Sequence, residues 1–228
     1  MLKKKDYTVF ALFLLRVFFH NLPVYFCFGN LYNYFYGGGR MKNNDYKISR
    51  NLSWEVLINE NITSLPVNVS ELCASLGVRI RTYDGFIDGV DSDGESIIMS
   101  DGVPLIIYNK CKPKARKRFT VAHEIGHILL GHVGRYHLVN REPSDSDNPI
   151  ERAANVFAAR LLAPACVLWA LNAQTPEEIM KLCDISYQAA EYRAARMQEL
   201  YRRNMFLTSP LERQVHKQFL PFIESMKS

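Results

Sequence analysis

Residues 118–130 read Arg118-Phe119-Thr120-Val121-Ala122-His123-Glu124-Ile125-Gly126-His127-Ile128-Leu129-Leu130. Phe119, Ala122, Ile125, Leu129 and Val133 recur at helical spacing, so the stretch reads as an amphipathic helix. Within it lies H-E-x-x-H. On such a helix His123 and His127 stand one turn apart on one face, their β-carbons about 5–6 Å apart. Both imidazoles can then reach a single zinc ion at about 2.0–2.1 Å. Glu124 is displaced by about 100° of arc. That keeps it out of the coordination set but beside the fourth, solvent-filled position, where its carboxylate can take a proton from water. With six histidines, random order would produce this triplet roughly one time in a hundred, so two solvated histidines on a helix face is the lesser reading. Gly126 points the same way: a glycine inside a helix costs about 1 kcal/mol against alanine, which suggests that another element passes close to that turn.

A catalytic zinc needs a third protein ligand. The long metzincin motif is excluded, because it would require glycine at Leu130 and histidine at Val133. His132, five residues past His127, is expected about 140° away around the helix and off the metal. His137, Glu142, Asp145 and Asp147 lie in a Pro/Ser/Asp loop and are further candidates. The stronger one is Glu151, near the start of Glu151-Arg152-Ala153-Ala154-Asn155-Val156-Phe157-Ala158-Ala159-Arg160-Leu161-Leu162-Ala163-Pro164. A carboxylate on a second packed helix can complete the tetrahedron. Asn148-Pro149-Ile150-Glu151 fits a helix start equally well, with Asn148 as cap, Pro149 at the first position and Glu151 as the reciprocal capping acid. Spacing alone leaves these two readings of Glu151 level.

Together the two stretches resemble the paired motifs of ImmA/IrrE-type metallopeptidases, R-F-T-x-A-H-E-x-G-H followed by E-x-x-A-N-x-F-A-x-x-L-L-x-P. The resemblance runs from about Leu52 to Leu200. It implies that His123, His127 and Glu151 bind Zn2+ and that Glu124 is the catalytic base. It also implies that Asn155, one turn past Glu151, hydrogen-bonds a ligand or braces the helix, the alternative being a buried amide that serves packing only. Ala163 departs from the methionine common in that family before the proline, a change away from the metal. The implied function is a zinc endopeptidase that cleaves a cytoplasmic helix-turn-helix repressor of a phage or mobile element. A non-catalytic zinc-fold regulator of a transcription factor and a membrane-tethered metalloprotease stand as alternatives. The oxyanion stabiliser is not identified by the motifs; Tyr136 and His137 are candidates by type and nearness only.

Ile179 to Arg193 has a helix, turn, helix pattern with Ser186 as cap, yet Glu191 and Glu199 interleave with Arg193, Arg196, Arg202 and Arg203. A packing element is therefore expected, and no direct nucleic-acid binding. The basic run Lys110 to Arg118 precedes the H-E-x-x-H helix, where the helix dipole disfavours cations; it reads as solvated surface, with a docking patch for an acidic partner as the sharper alternative. Upstream, Val78 to Tyr83, Ser96 to Met99 and Val103 to Tyr108 are β-rich and bounded by Asp-Gly turns, which suggests an antiparallel meander. The acidic turns lack the spacing of a calcium loop.

Twenty-eight basic and 23 acidic residues give +5 over 228 residues. Residues 1–40 hold five of the basic residues and one acid, so the rest is nearly neutral and a phosphate-binding surface is not expected. That leader also carries 12 of the 27 aromatic residues. It has three readings: a weak membrane anchor, a cleaved signal, or a disordered or untranslated segment if synthesis starts at Met41 after Gly37-Gly38-Gly39. Arg16, His20, Asn21 and Pro23 interrupt its apolar run short of a clean span. Five scattered cysteines without a C-x-x-C pair fit free thiols in a reducing cytoplasm. The whole is expected to be α+β, a small antiparallel sheet packed on a mainly helical zincin-like catalytic domain at 41–203, with a leader at 1–40 and a tail at 204–228.

Overall fold

The computed structural model describes residues 43–85, 92–133 and 148–228. The leader and the loop candidates Tyr136, His137, Glu142, Asp145 and Asp147 lie outside the described residues. In chain order the elements are α1 (Asn43–Asn59), α2 (Val69–Ser75), β1 (Arg79–Tyr83), β2 (Gly94–Ile98), β3 (Pro104–Asn109), α3 (Lys114–Leu129), α4 (Pro149–Leu162), α5 (Ala165–Ala170), α6 (Pro176–Cys183), α7 (Tyr187–Arg202), α8 (Pro210–Gln218) and α9 (Leu220–Ser225). The class is α+β, mostly helical with one small sheet.

The sheet is mixed, which corrects the antiparallel meander. Its order is β1-β3-β2: β3 runs antiparallel to β2 but parallel to β1, with Arg79 opposite Leu105 and Gly94 opposite Tyr108. The meander assumed that Asp84-Gly85 closes a tight hairpin between β1 and β2. The connection between those strands is longer than a two-residue hairpin loop, and β2 instead takes the far side of β3. The tight turn is the next one, where Gly102 adopts φ +81° and the Met99 N–H donates to the Val103 carbonyl at 3.0 Å. β2 is therefore an edge strand.

That edge lies against α3. A β-carbon on Gly94 would come within 2.6 Å of Thr120 Cγ2 and 2.9 Å of the Ile107 carbonyl oxygen, so only glycine lets β2 seat on the helix. α4 buries Ala153, Ala154, Phe157, Ala158, Leu161 and Leu162, a stripe repeating every three to four residues, and packs against both α3 and α1. The stretch 149–170 is long and apolar enough to cross a membrane, but its most apolar 18-residue window, of mean hydropathy 1.5, is 67% buried in the fold. It is the core pair α4 and α5, split at Pro164. α1 contributes small polar residues as well as apolar ones to the core; Ser49 and Ser53 are buried beside Trp54, Val56 and Leu57. The segment after Asn204 is also folded onto the body: Val215, Phe219 and Ile223 are buried, and the Gln218 amide donates to the Leu57 and Ile62 carbonyls at 2.7 Å.

The charged runs turn inward on each other. Asp84, Asp93 and Asp101, acids of the suspected calcium turn, pair with Lys110, Arg116 and Arg79. Lys114 and Arg118 pair with Asp184. The basic run is thus surface, with Lys110, Lys114 and Arg116 more than half exposed, but its charges are tied to acids of the loops around it. Exposed ties of this kind contribute about 0–1 kcal/mol each.

Gly126 answers to the close approach its position suggested. A β-carbon there would lie 3.0 Å from the Phe157 ring and 3.4 Å from Ala154 Cα, and Phe157 is fully buried with nowhere to move. Gly126→Ala gains about 1 kcal/mol of helix propensity but incurs overpacking of about 1–3 kcal/mol. Urea denaturation is expected to show a net destabilisation of about 1 kcal/mol, with metal binding weakened as α3 and α4 are pushed apart.

Candidate metal centre

The close packing of α3 on α4 brings His123, His127 and Glu151 together. His123 Nε2 lies 2.8 Å from His127 Nε2 and 3.1 Å from Glu151 Oε2, while His127 Nε2 lies 3.4 Å from Glu151 Oε1. A tetrahedral ion with bonds of about 2.0–2.1 Å has edges of about 3.3–3.4 Å between ligand atoms. The three donors therefore fit the face of one such site, and this group could hold a metal ion.

The outer nitrogens support that fit. Asn155 Oδ1 lies 3.0 Å from His123 Nδ1. An amide oxygen only accepts, so Nδ1 carries the proton and Nε2 of the neutral ring presents a lone pair. That lone pair faces a carboxylate and a second imidazole, an arrangement of acceptors that a cation resolves. His127 Nδ1 lies 3.0 Å from His132 Nδ1, and proton donation from His127 leaves its own Nε2 as the inward-facing acceptor. When the rings instead carry a proton on Nε2, their hydrogen bonds hold Glu151 well below the usual carboxylate range, against the opposing effect of burial.

Each position has a local cause. Asn148 caps α4 by accepting from the Ile150 N–H at 3.0 Å, and Pro149 occupies the first helical position. Glu151 follows in the first turn, but both its oxygens face the imidazoles, so the capping reading does not account for its side chain. His132 does not join the three-residue group, yet the angular reason given for its distance fails. α3 ends before it: Gly131 turns left-handed at φ +71°, and the His132 N–H donates back to the His127 carbonyl at 2.9 Å. This returns the ring to His127. The glycine after Leu130 was a readable stop signal.

Glu124 is 2% exposed, and Ser96 on β2 donates its hydroxyl to Glu124 Oε2 at 2.5 Å. Sequence reasoning missed Ser96, because the contact spans the sheet–helix interface and no local pattern announces it. Gly94, two residues earlier on the strand, makes it reachable.

The family model described as Peptidase_M78, IrrE N-terminal-like domain, matches residues 73–195. No curated protein matches the chain. The match begins in α2, ends in α7 and spans more than half of the sequence, including every residue of the His/Glu group and the sheet edge beside it. On that span the chain belongs to the IrrE N-terminal-like family of metallopeptidases.

Proposed function

We propose that the chain is a zinc-dependent endopeptidase with His123, His127 and Glu151 as ligands, Glu124 as general base and Asn155 as an outer partner. The observation that carries this reading is the convergence of three donor atoms across two helices, with a buried carboxylate beside them. Zinc bound there would supply a Lewis acid that polarises the scissile carbonyl and brings the pKa of the attacking water to around 7.

The remaining steps belong to the chain. Glu124 takes a proton from the attacking water and passes it to the departing amine. Ser96 holds Oε2 and so keeps the carboxylate in one orientation through both transfers. Asn155 and His132 fix the imidazole tautomers and ring planes, which an unbraced helix face would leave free. Ser96→Ala is expected to lower kcat/KM roughly tenfold, the scale of a hydrogen bond to a charged group, with metal content unchanged; equal loss of metal would make Ser96 a packing residue instead.

The substrate we infer is a cytoplasmic helix-turn-helix repressor carried by a phage or mobile element, as the motif resemblance implies. Cys73, Cys166 and Cys183 are buried free thiols, which agrees with a reducing compartment. Incubating the zinc-loaded chain with the repressor from its own gene neighbourhood tests the proposal. Cleavage that stops on chelation is expected; an intact repressor in the presence of bound zinc removes that substrate.

A further inference from the structure

The metal-facing stripes of α3 and α4 continue past the metal centre. On α3, Phe119 precedes His123 by one turn, as His123 precedes His127, and the Phe119 and His123 ring centroids lie 6.2 Å apart. On α4, Ala159 follows Asn155 by one turn, as Asn155 follows Glu151. The stripes run in opposite directions. His123 meets Glu151 and Asn155 at 3.1 and 3.0 Å, and one turn further on Phe119 and Ala159 line a common cavity of about 180 Å³. A helical turn rises about 5.4 Å, the reach of one to two residues of extended peptide at about 3.3 Å each. A substrate side chain close to a bond held at the metal therefore arrives at this cavity.

Its lining is apolar at depth and aromatic at the rim. Leu162, Ala163 and Ile185 are buried in its wall. α7 closes the other side with Ala189, Tyr192, Arg193 and Arg196, a stripe at helical spacing, and Tyr192 stands 74% exposed. The arginines do not make it an anion site. All three guanidinium nitrogens of Arg193 are buried, Arg160 donates to the Tyr46 hydroxyl, and Arg196 pairs with Glu199. A carboxylate entering here would lose its water for little return, and an ammonium would meet three like charges. Apolar groups face neither cost. An apolar cavity of about 150 Å³ takes up benzene, and an aromatic ring can lie offset or edge-on against Phe119 and Tyr192.

We propose that this cavity is the specificity pocket of the peptidase and takes a large apolar side chain, phenylalanine or leucine, from a residue beside the scissile bond, with Phe119 and Tyr192 as its walls. It deepens the peptidase reading and rests on it.

The test uses blocked nonapeptides of alternating serine and alanine with phenylalanine, leucine, alanine, glutamate or lysine at the centre. Binding is measured by calorimetry on the zinc-loaded full-length Glu124→Gln chain, and cleavage on the zinc-loaded wild type. The phenylalanine and leucine peptides are expected to bind, and to be cleaved, at least about tenfold better than the alanine peptide, the discrimination a hydrophobic pocket draws from a methylene or more. Glutamate and lysine peptides are expected to fall at or below alanine. Ala189→Leu, which fills the pocket, is expected to bring the phenylalanine-to-alanine ratio to about one with zinc content retained. Tyr192→Ala, at an exposed position where folding is not at stake, is expected to lower that ratio several-fold. Three results overturn the proposal: equal or undetectable binding of the five peptides, tighter binding of the glutamate or lysine peptide than of phenylalanine, or a preference left intact by both variants. Cleavage without preference removes the pocket and keeps the peptidase reading. Preferential binding that both variants weaken, with no cleavage by the wild type, removes the peptidase reading and keeps the apolar site.

Discussion

Glu124→Gln is expected to lose about 10²- to 10⁴-fold in kcat/KM, the contribution of a positioned general base, while retaining the metal. The substitution is nearly isosteric. A glutamine oxygen can still accept from Ser96, so the side chain keeps its place between β2 and α3 and only its basicity is removed. Burial favours the same outcome for folding, because a neutral amide replaces a carboxylate that is 2% exposed. The measurement is peptide cleavage beside metal analysis on the same preparations. Activity lost with metal retained fits the catalytic role. Regulatory activity preserved in a variant that no longer cleaves would leave the regulator that binds without cutting.

Glu151→Ala is expected to weaken zinc binding by more than about a hundredfold, beyond the 10–100-fold typical of an outer partner. The two histidines sit on one helix and are brought together by its pitch, whereas Glu151 comes from α4 and closes the site across the interface. An ion held by all three therefore ties α3 to α4. At a hundred times its dissociation constant such a ligand adds about 2.7 kcal/mol to folding stability. Chelation should then lower the Tm of the wild type and leave that of Glu151→Ala nearly unchanged. Glu142→Ala and Asp145→Ala are expected to keep their zinc; if they lose it and Glu151→Ala does not, the third ligand lies within residues 134–147.

Legibility of the site tracked how local each cause is. His123, Glu124 and His127 were readable because helix pitch converts a four-residue spacing into a shared face. Glu151 was not decidable from spacing, since the first turn of a capped helix also wants an acid there, and only its 3.1 and 3.4 Å approaches to the imidazoles separate the uses. His132 stays out of the three-residue group as expected, but its place was misjudged by extending α3 through Gly131, although a glycine there marks a helix end. Ser96 gave no signal at all, being a lone serine on an edge strand whose contact with Glu124 spans the sheet and the helix.

Helix periodicity, the H-E-x-x-H spacing, the caps and the glycine punctuation are properties of a few consecutive residues, and the sequence by itself determined them: the identity of α3 and α4, the pairing of two histidines, and a helical body with a small sheet. The tertiary structure alone decided which strand took the centre of the sheet, that β2 rather than β1 meets α3, and which side chains face each other across the α3–α4 seam. Those outcomes depend on contacts between residues distant in the chain, selected by how buried surfaces fit. Gly94 and Gly126 show where the two levels meet, for each is a local absence of side chain whose purpose exists only once a second element lies against it.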